Sequence, residues 1–187
     1  MKKVSDIHAI KIIFFITACY VGLWAIRIPT IKDQLQTDYV GVGYIMLSFA
    51  IGSIVAMIFA NALILKTSTK SILTFTLIAE GCLWLPVPFI QELWLFMVFS
   101  FVFGMSYGAF EIACNVYASN LEVREKKSMM SGFHAFWSLG VLFGSLITSF
   151  LLEWNYSFIF NILLYVIILL PLSLYFVLCL ESQVEAK

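Results

Sequence analysis

Apolar residues fall along this chain in six long blocks separated by short polar breaks. A helix needs about 20 apolar residues to cross the hydrocarbon core of a bilayer. Six segments reach that length: 8–28, 40–63, 71–90, 93–119, 130–152 and 156–180. Pro29 and the polar run from Lys32 to Asp38 are expected to close the first. Lys66-Thr67-Ser68-Thr69-Lys70 parts the second from the third, and Pro86 and Pro88 close the third. Only Gln91 and Glu92 mark the next gap. Glu122 to Ser128 separate the fourth and fifth, and Glu153-Trp154-Asn155 makes a tight last turn. A transmembrane β-barrel would instead alternate over segments of about ten residues. The pattern therefore predicts an all-α integral membrane protein, with residues 1–187 forming a single six-helix transmembrane domain.

Composition strengthens this reading. Of 187 residues, 62% are hydrophobic and only 12% charged, and the mean hydropathy is +0.99. Soluble domains carry about 25% charged residues, so these charges are too few to cover a surface in water, and the apolar surface must meet lipid. The formal net charge is zero, which leaves no electrostatic case for nucleic acid. Lys2 and Lys3 precede an apolar run too long for a signal-peptide core, so that run reads as the first membrane helix. Cys19, Cys82, Cys114 and Cys179 lie in different apolar blocks and read as small packing residues. Neither a metal nor another cofactor is expected.

The placement of charge sets an expected orientation. With the N-terminus inside, Lys2, Lys3, Lys11, Lys66, Lys70, Arg124, Lys126, Lys127 and Lys187 fall on the inner side and Arg27 and Lys32 on the outer. This is a strong positive-inside bias. Trp24, Trp84, Trp94 and Trp154 then fall near the outer interface, where amphipathic rings prefer to lie. Both termini are expected in the cytoplasm. Small residues recur every four positions at Ser48, Gly52, Ala56 and Ala60, at Gly104 and Gly108, and at Gly140 and Gly144. Such stripes let helices approach closely, within the bundle or across a dimer seam.

Ionisable groups at bilayer depth are costly and usually face a cavity or a partner. Tyr107, Glu111 and Asn115 are spaced i, i+4, i+8 and share one face of the fourth helix. His134 and Ser138 share a face of the fifth, at similar depth. These five residues are the candidates for solute binding or coupling. A Glu111–His134 pair could exchange a proton near neutral pH; a structural hydrogen bond from His134 to the fourth helix is the plainer alternative. Glu80 also falls near mid-depth, without a polar face around it. No nucleophile–base or metal-ligand motif appears, so an enzyme is not expected.

Three stretches carry a family resemblance. They are Trp24-Ala25-Ile26-Arg27-Ile28-Pro29-Thr30-Ile31-Lys32, then Gly108-Ala109-Phe110-Glu111-Ile112-Ala113-Cys114-Asn115, and Ser131-Gly132-Phe133-His134-Ala135-Phe136-Trp137-Ser138-Leu139-Gly140. Together they resemble the N-terminal half of major facilitator superfamily transporters, in the branch near the fucose permease. The resemblance implies transport of a small solute, sugar-like and proton-coupled, in the bacterial cytoplasmic (inner) membrane. It implies a cavity lined by the first and fourth helices, with Glu111 as the coupling candidate. It also implies a second six-helix half as partner, from a separate chain or a homodimer. Two features depart from that pattern. The span 8–28 expected for the first helix has no acid, and Leu65 stands where the loop between helices two and three would carry one. The competing expectation is a non-transporting membrane module, either a gene remnant or an accessory subunit.

Overall fold

The structure, a computed structural model, describes residues 5–181, apart from the side chains of Asn61 and Leu65. Lys2, Lys3 and Lys187, which carry part of the charge asymmetry, lie outside the described residues, as does the Leu65 side chain at the loop departure.

Among the described residues six helices follow one another: α1 (Asp6–Gln34), α2 (Tyr39–Lys66), α3 (Thr69–Trp84), α4 (Leu93–Glu125), α5 (Met130–Glu153) and α6 (Phe158–Cys179). A short 3-10 turn, Val87–Phe89, follows α3. All six spans are long and apolar enough to cross a membrane, and no strand occurs among the described residues. The polar breaks act as caps. Asp38, Ser68 and Ser157 accept hydrogen bonds from the backbone N–H groups of Gly41, Ser71 and Phe160, which open α2, α3 and α6. Glu122 caps α5 from the preceding helix, accepting from the N–H groups of Met129 and Met130. A carboxylate there meets the positive end of the α5 dipole.

Three helix ends differ by six residues from the hydropathy reading. α3 stops at Trp84 rather than at 90, and Pro86 and Pro88 turn the chain through Val87–Phe89 instead. Pro29 lies inside α1 rather than at its end. The last turn survives because Ile31 and Leu35 are buried and the Gln34 amide donates to the carbonyls of Val87 and Ile90, at 2.9 and 2.6 Å. Packing thus outweighs the local cost of a proline, as it does in other membrane helices. The fourth helix runs past position 119 to Glu125, because its last turn is held from outside. Arg124 bonds Asp6 at 2.8 Å and Glu181 at 3.3 Å. The Glu181 N–H donates to Asp6 at 3.2 Å. One end of the bundle is therefore laced across α1, α4 and the end of α6.

The heaviest packing joins α1 to α5 and α2 to α4, while α3 and α6 touch each other and flank these pairs. Exchanging the first three helices for the last three reproduces this pattern. Glycines set the close approaches. A Cβ at Gly104 would stand 2.0 Å from the Phe49 carbonyl oxygen, one at Gly52 2.0 Å from that of Phe101, and one at Gly108 2.4 Å from that of Ser53. Gly140 and Gly144 meet the carbonyls of Phe15 and Cys19 at 2.2 Å in the same sense. These glycines are consumed by packing within the chain. A polar seam then ties α6 to the α1–α5 pair. The Tyr165 hydroxyl donates to the Gly144 carbonyl at 2.7 Å and lies 3.0 Å from the Thr148 hydroxyl, and the Tyr20 hydroxyl donates to the Tyr165 carbonyl at 3.4 Å.

At the opposite end from Arg124, Arg27 is only 2% exposed. Its Nε donates to Asn161 Oδ1 at 3.0 Å, another guanidinium nitrogen donates to the Tyr156 carbonyl at 3.3 Å, and the group lies over the Phe158 ring at 5.3 Å. Hydrogen bonds from charged groups contribute about 1.5–3 kcal/mol each. Among the described residues, Arg27→Ala also leaves the buried Asn161 side chain without a hydrogen-bond partner, since its Nδ2 is already unpaired. Arg27→Ala is expected to cost about 2–3 kcal/mol, read as an earlier unfolding transition in detergent. A transition unchanged from the native protein would show that this bond pair holds nothing.

Candidate solute cavity

Helices α1, α4 and α5 line an open cavity of about 160 Å³. Tyr107, Glu111, Asn115 and His134 all line it, with Phe14 and Trp137 among the walls. Four of the five expected residues thus share one space. Ser138 does not line it; it is exposed, and its hydroxyl donates to the His134 carbonyl at 3.1 Å. A serine one turn further along α5 spends its proton on its own helix, a common fate for mid-helix serines. Asn115 likewise donates to the Glu111 carbonyl at 2.9 Å, leaving its side-chain oxygen for the cavity. His134 neither pairs with Glu111 nor hydrogen-bonds α4 among the described residues. Its ring instead meets Phe14 edge-on at 5.7 Å. The expected Glu–His pair is thus two separate polar groups on one cavity. Glu111 is half-buried and lies about 21 Å from the C-terminal end of α4 at 1.5 Å rise per residue.

A second, larger cavity of about 360 Å³ adjoins the first, and Tyr107 and Trp137 line both. Nine of its fourteen lining side chains are aromatic, so its walls are rigid and apolar. Glu80 supplies the one ionisable carboxylate on its lining and is only 8% exposed. Trp84, expected at the outer interface, is buried instead. It stacks on Tyr20 at 6.0 Å and meets Trp24 and Phe103 edge-on at 6.2 and 5.7 Å. Glu80 and Trp84 are spaced i, i+4, which turns both toward α1 and α4. Trp94 and Trp154 stay exposed, as an interfacial belt requires. The aromatic cavity carried little sequence signal. Its rings come from five helices, and only the isolated acid on the third marked the place.

Six membrane-length helices around polar-edged cavities define a multi-pass integral membrane protein. The profile of the Major Facilitator Superfamily matches residues 12–187, and the chain belongs to that superfamily. It is 28% identical over 143 residues to an uncharacterized MFS-type transporter of Yersinia pestis, covering 76% of this chain and 37% of that protein. It is 25% identical over 141 residues to an uncharacterized transporter of Sinorhizobium fredii, covering 71% of this chain and 35% of that protein. The chain thus aligns with little more than a third of each relative's length. Solved structures give no significant match.

Proposed function

We propose that this chain provides one six-helix half of a secondary transporter for a small polar solute, with Tyr107, Glu111, Asn115 and His134 contacting the solute. The observation that carries this reading is their convergence on one cavity from α4 and α5. In this superfamily, solute sites lie near mid-membrane between two six-helix halves that rock about them. The complementary half would be further sequence of a longer chain, a separate chain or a second copy. The charge pattern supports a cytoplasmic-membrane location with both termini inside. A sugar-like solute and proton coupling fit the resemblance to the fucose permease branch and a single Glu111 on the cavity. A non-transporting module is the weaker reading, because a built polar cavity has no evident purpose in it.

Thiol labelling tests the cavity. The four native cysteines are replaced, and single cysteines are introduced at Asn115 and at Ala113. Asn115→Cys is expected to react with a charged, water-soluble methanethiosulfonate. Ala113→Cys is expected to resist, because Ala113 is fully buried. Sugars, amino acids and small organic acids are then screened for slowing the Asn115→Cys reaction, and the one that protects names the solute class. Equal resistance at both positions would overturn the assignment.

A further inference from the structure

The larger cavity has a composition that the proposed solute contacts do not use. Its lining holds one buried carboxylate, Glu80, and no lysine, arginine or histidine. Among the described residues no basic group lies within ion-pair distance of Glu80. The Thr17 hydroxyl beside Glu80 carries no charge, and a carboxylate without a counter-charge at membrane depth is costly. A cationic ligand would offset that cost, whereas an anionic one would add to it. The surrounding side chains point to the same class of ligand. Tyr20, Trp24, Trp84 and Phe103 line the same cavity as Glu80, and the Trp84 ring packs against the other three at centroid distances of 5.7 to 6.2 Å. Aromatic faces attract a desolvated cation within about 6 Å of the ring centre, tryptophan most strongly. The Trp84 indole N–H is itself buried and unpartnered, and Trp84 lines the same cavity, so a hydrogen-bond acceptor on the ligand would find a donor there. A volume of about 360 Å³ falls at the lower end of the range of small-molecule sites.

We propose that the cavity bounded by Glu80, Tyr20, Trp24 and Trp84 binds an organic cation with a compact aromatic or apolar body. Glu80 supplies the counter-charge, and the rings supply the walls that exclude water and hold the cationic carbon shell. Because Tyr107 and Trp137 border both cavities, a cation seated here lies directly beside the polar cavity. It is therefore placed as a ligand that would compete with the solute of the proposed transporter. The proposal names a ligand class beyond the transport reading and is tested by binding alone, so a chain that fails to transport can still support it.

The full chain is placed in lipid nanodiscs, and binding is followed by quenching of tryptophan fluorescence. The probes are phenyltrimethylammonium, its uncharged isostere tert-butylbenzene, and the anion benzenesulfonate. The cation is expected to bind at least tenfold more tightly than the isostere, and the anion not to bind. Glu80→Gln is expected to weaken the cation at least tenfold while leaving the isostere within twofold. Trp84→Phe keeps a ring of smaller quadrupole and is expected to weaken the cation several-fold. Equal affinity for cation and isostere in the native protein would reduce the site to an apolar void and overturn the proposal, as would unchanged cation affinity in Glu80→Gln. The native comparison uses no variant, so poor folding of Glu80→Gln leaves the test intact.

Discussion

Gly104→Leu is expected to yield a chain that inserts but fails to pack α2 on α4. The first atom added at this position would stand 2.0 Å from the carbonyl oxygen of Phe49. That neighbour is backbone in the middle of a helix, so no side-chain rotation relieves the clash. The contact is reciprocal, with Gly52 set against the Phe101 carbonyl, so the two helices must separate along the whole crossing. Overpacking typically costs about 1–3 kcal/mol and occasionally more. A clash with backbone on a principal helix pair belongs at the top of that range, about 3 kcal/mol. Gly43 provides the control, since a Cβ there meets nothing within 4 Å. Gly43→Ala is expected to be neutral or stabilising by about 0.5–1 kcal/mol, because glycine costs that much inside a helix. Thermal unfolding in a mild detergent reads both. A Gly104→Leu transition as high as that of the native protein would refute the close α2–α4 crossing.

The second large effect is on transport. On the proposed transport reading, Glu111→Gln is expected to reduce solute uptake at least tenfold while expression and insertion stay normal. The substitution keeps the side chain's size and its place on the cavity. It changes an acceptor that can carry charge into a neutral group with two N–H donors. A fold unaffected by the change is expected because Glu111 makes no ion pair among the described residues and serves its helix neighbour Asn115 only through its backbone carbonyl. His134→Ala is expected to reduce uptake by a smaller factor. Ser138→Ala is expected to leave it unchanged, because Ser138 lies off the cavity and bonds its own helix. The comparison of Glu111→Gln with Ser138→Ala separates a solute contact from a general disturbance of the bundle. Full proton-coupled uptake in Glu111→Gln would remove Glu111 from the mechanism.

The candidate site was partly legible because helical spacing is a local property. Tyr107, Glu111 and Asn115 must share a face wherever α4 lies, and they do meet on one cavity. His134 joined them because α5 crosses nearby, which spacing alone could not require. Ser138 illustrates the limit. It stands one turn from His134, yet a hydroxyl can satisfy itself on the preceding carbonyl, and nothing in the pattern distinguishes that from a cavity contact. Trp84 illustrates a second limit. A tryptophan near a helix end suits an interfacial belt equally well as a buried stack, and only its neighbours Tyr20, Trp24 and Phe103 decide between them.

The sequence by itself determined the number of membrane helices and most of their ends. The cost of polar groups in hydrocarbon acts on each segment separately, so a run of apolar residues bounded by charges and caps is sufficient information. The small-residue stripes likewise announced close helix approaches. Only the tertiary structure decided which helices approach, α1 with α5 and α2 with α4, because a glycine removes a barrier without naming the helix that will use the space. Tertiary contacts also carried α1 past Pro29, through the Gln34 bonds to Val87 and Ile90, and enclosed Glu80 in an aromatic cavity built from five helices. Those outcomes depend on side chains far apart in the chain, whose meeting lowers the energy only once the bundle has formed.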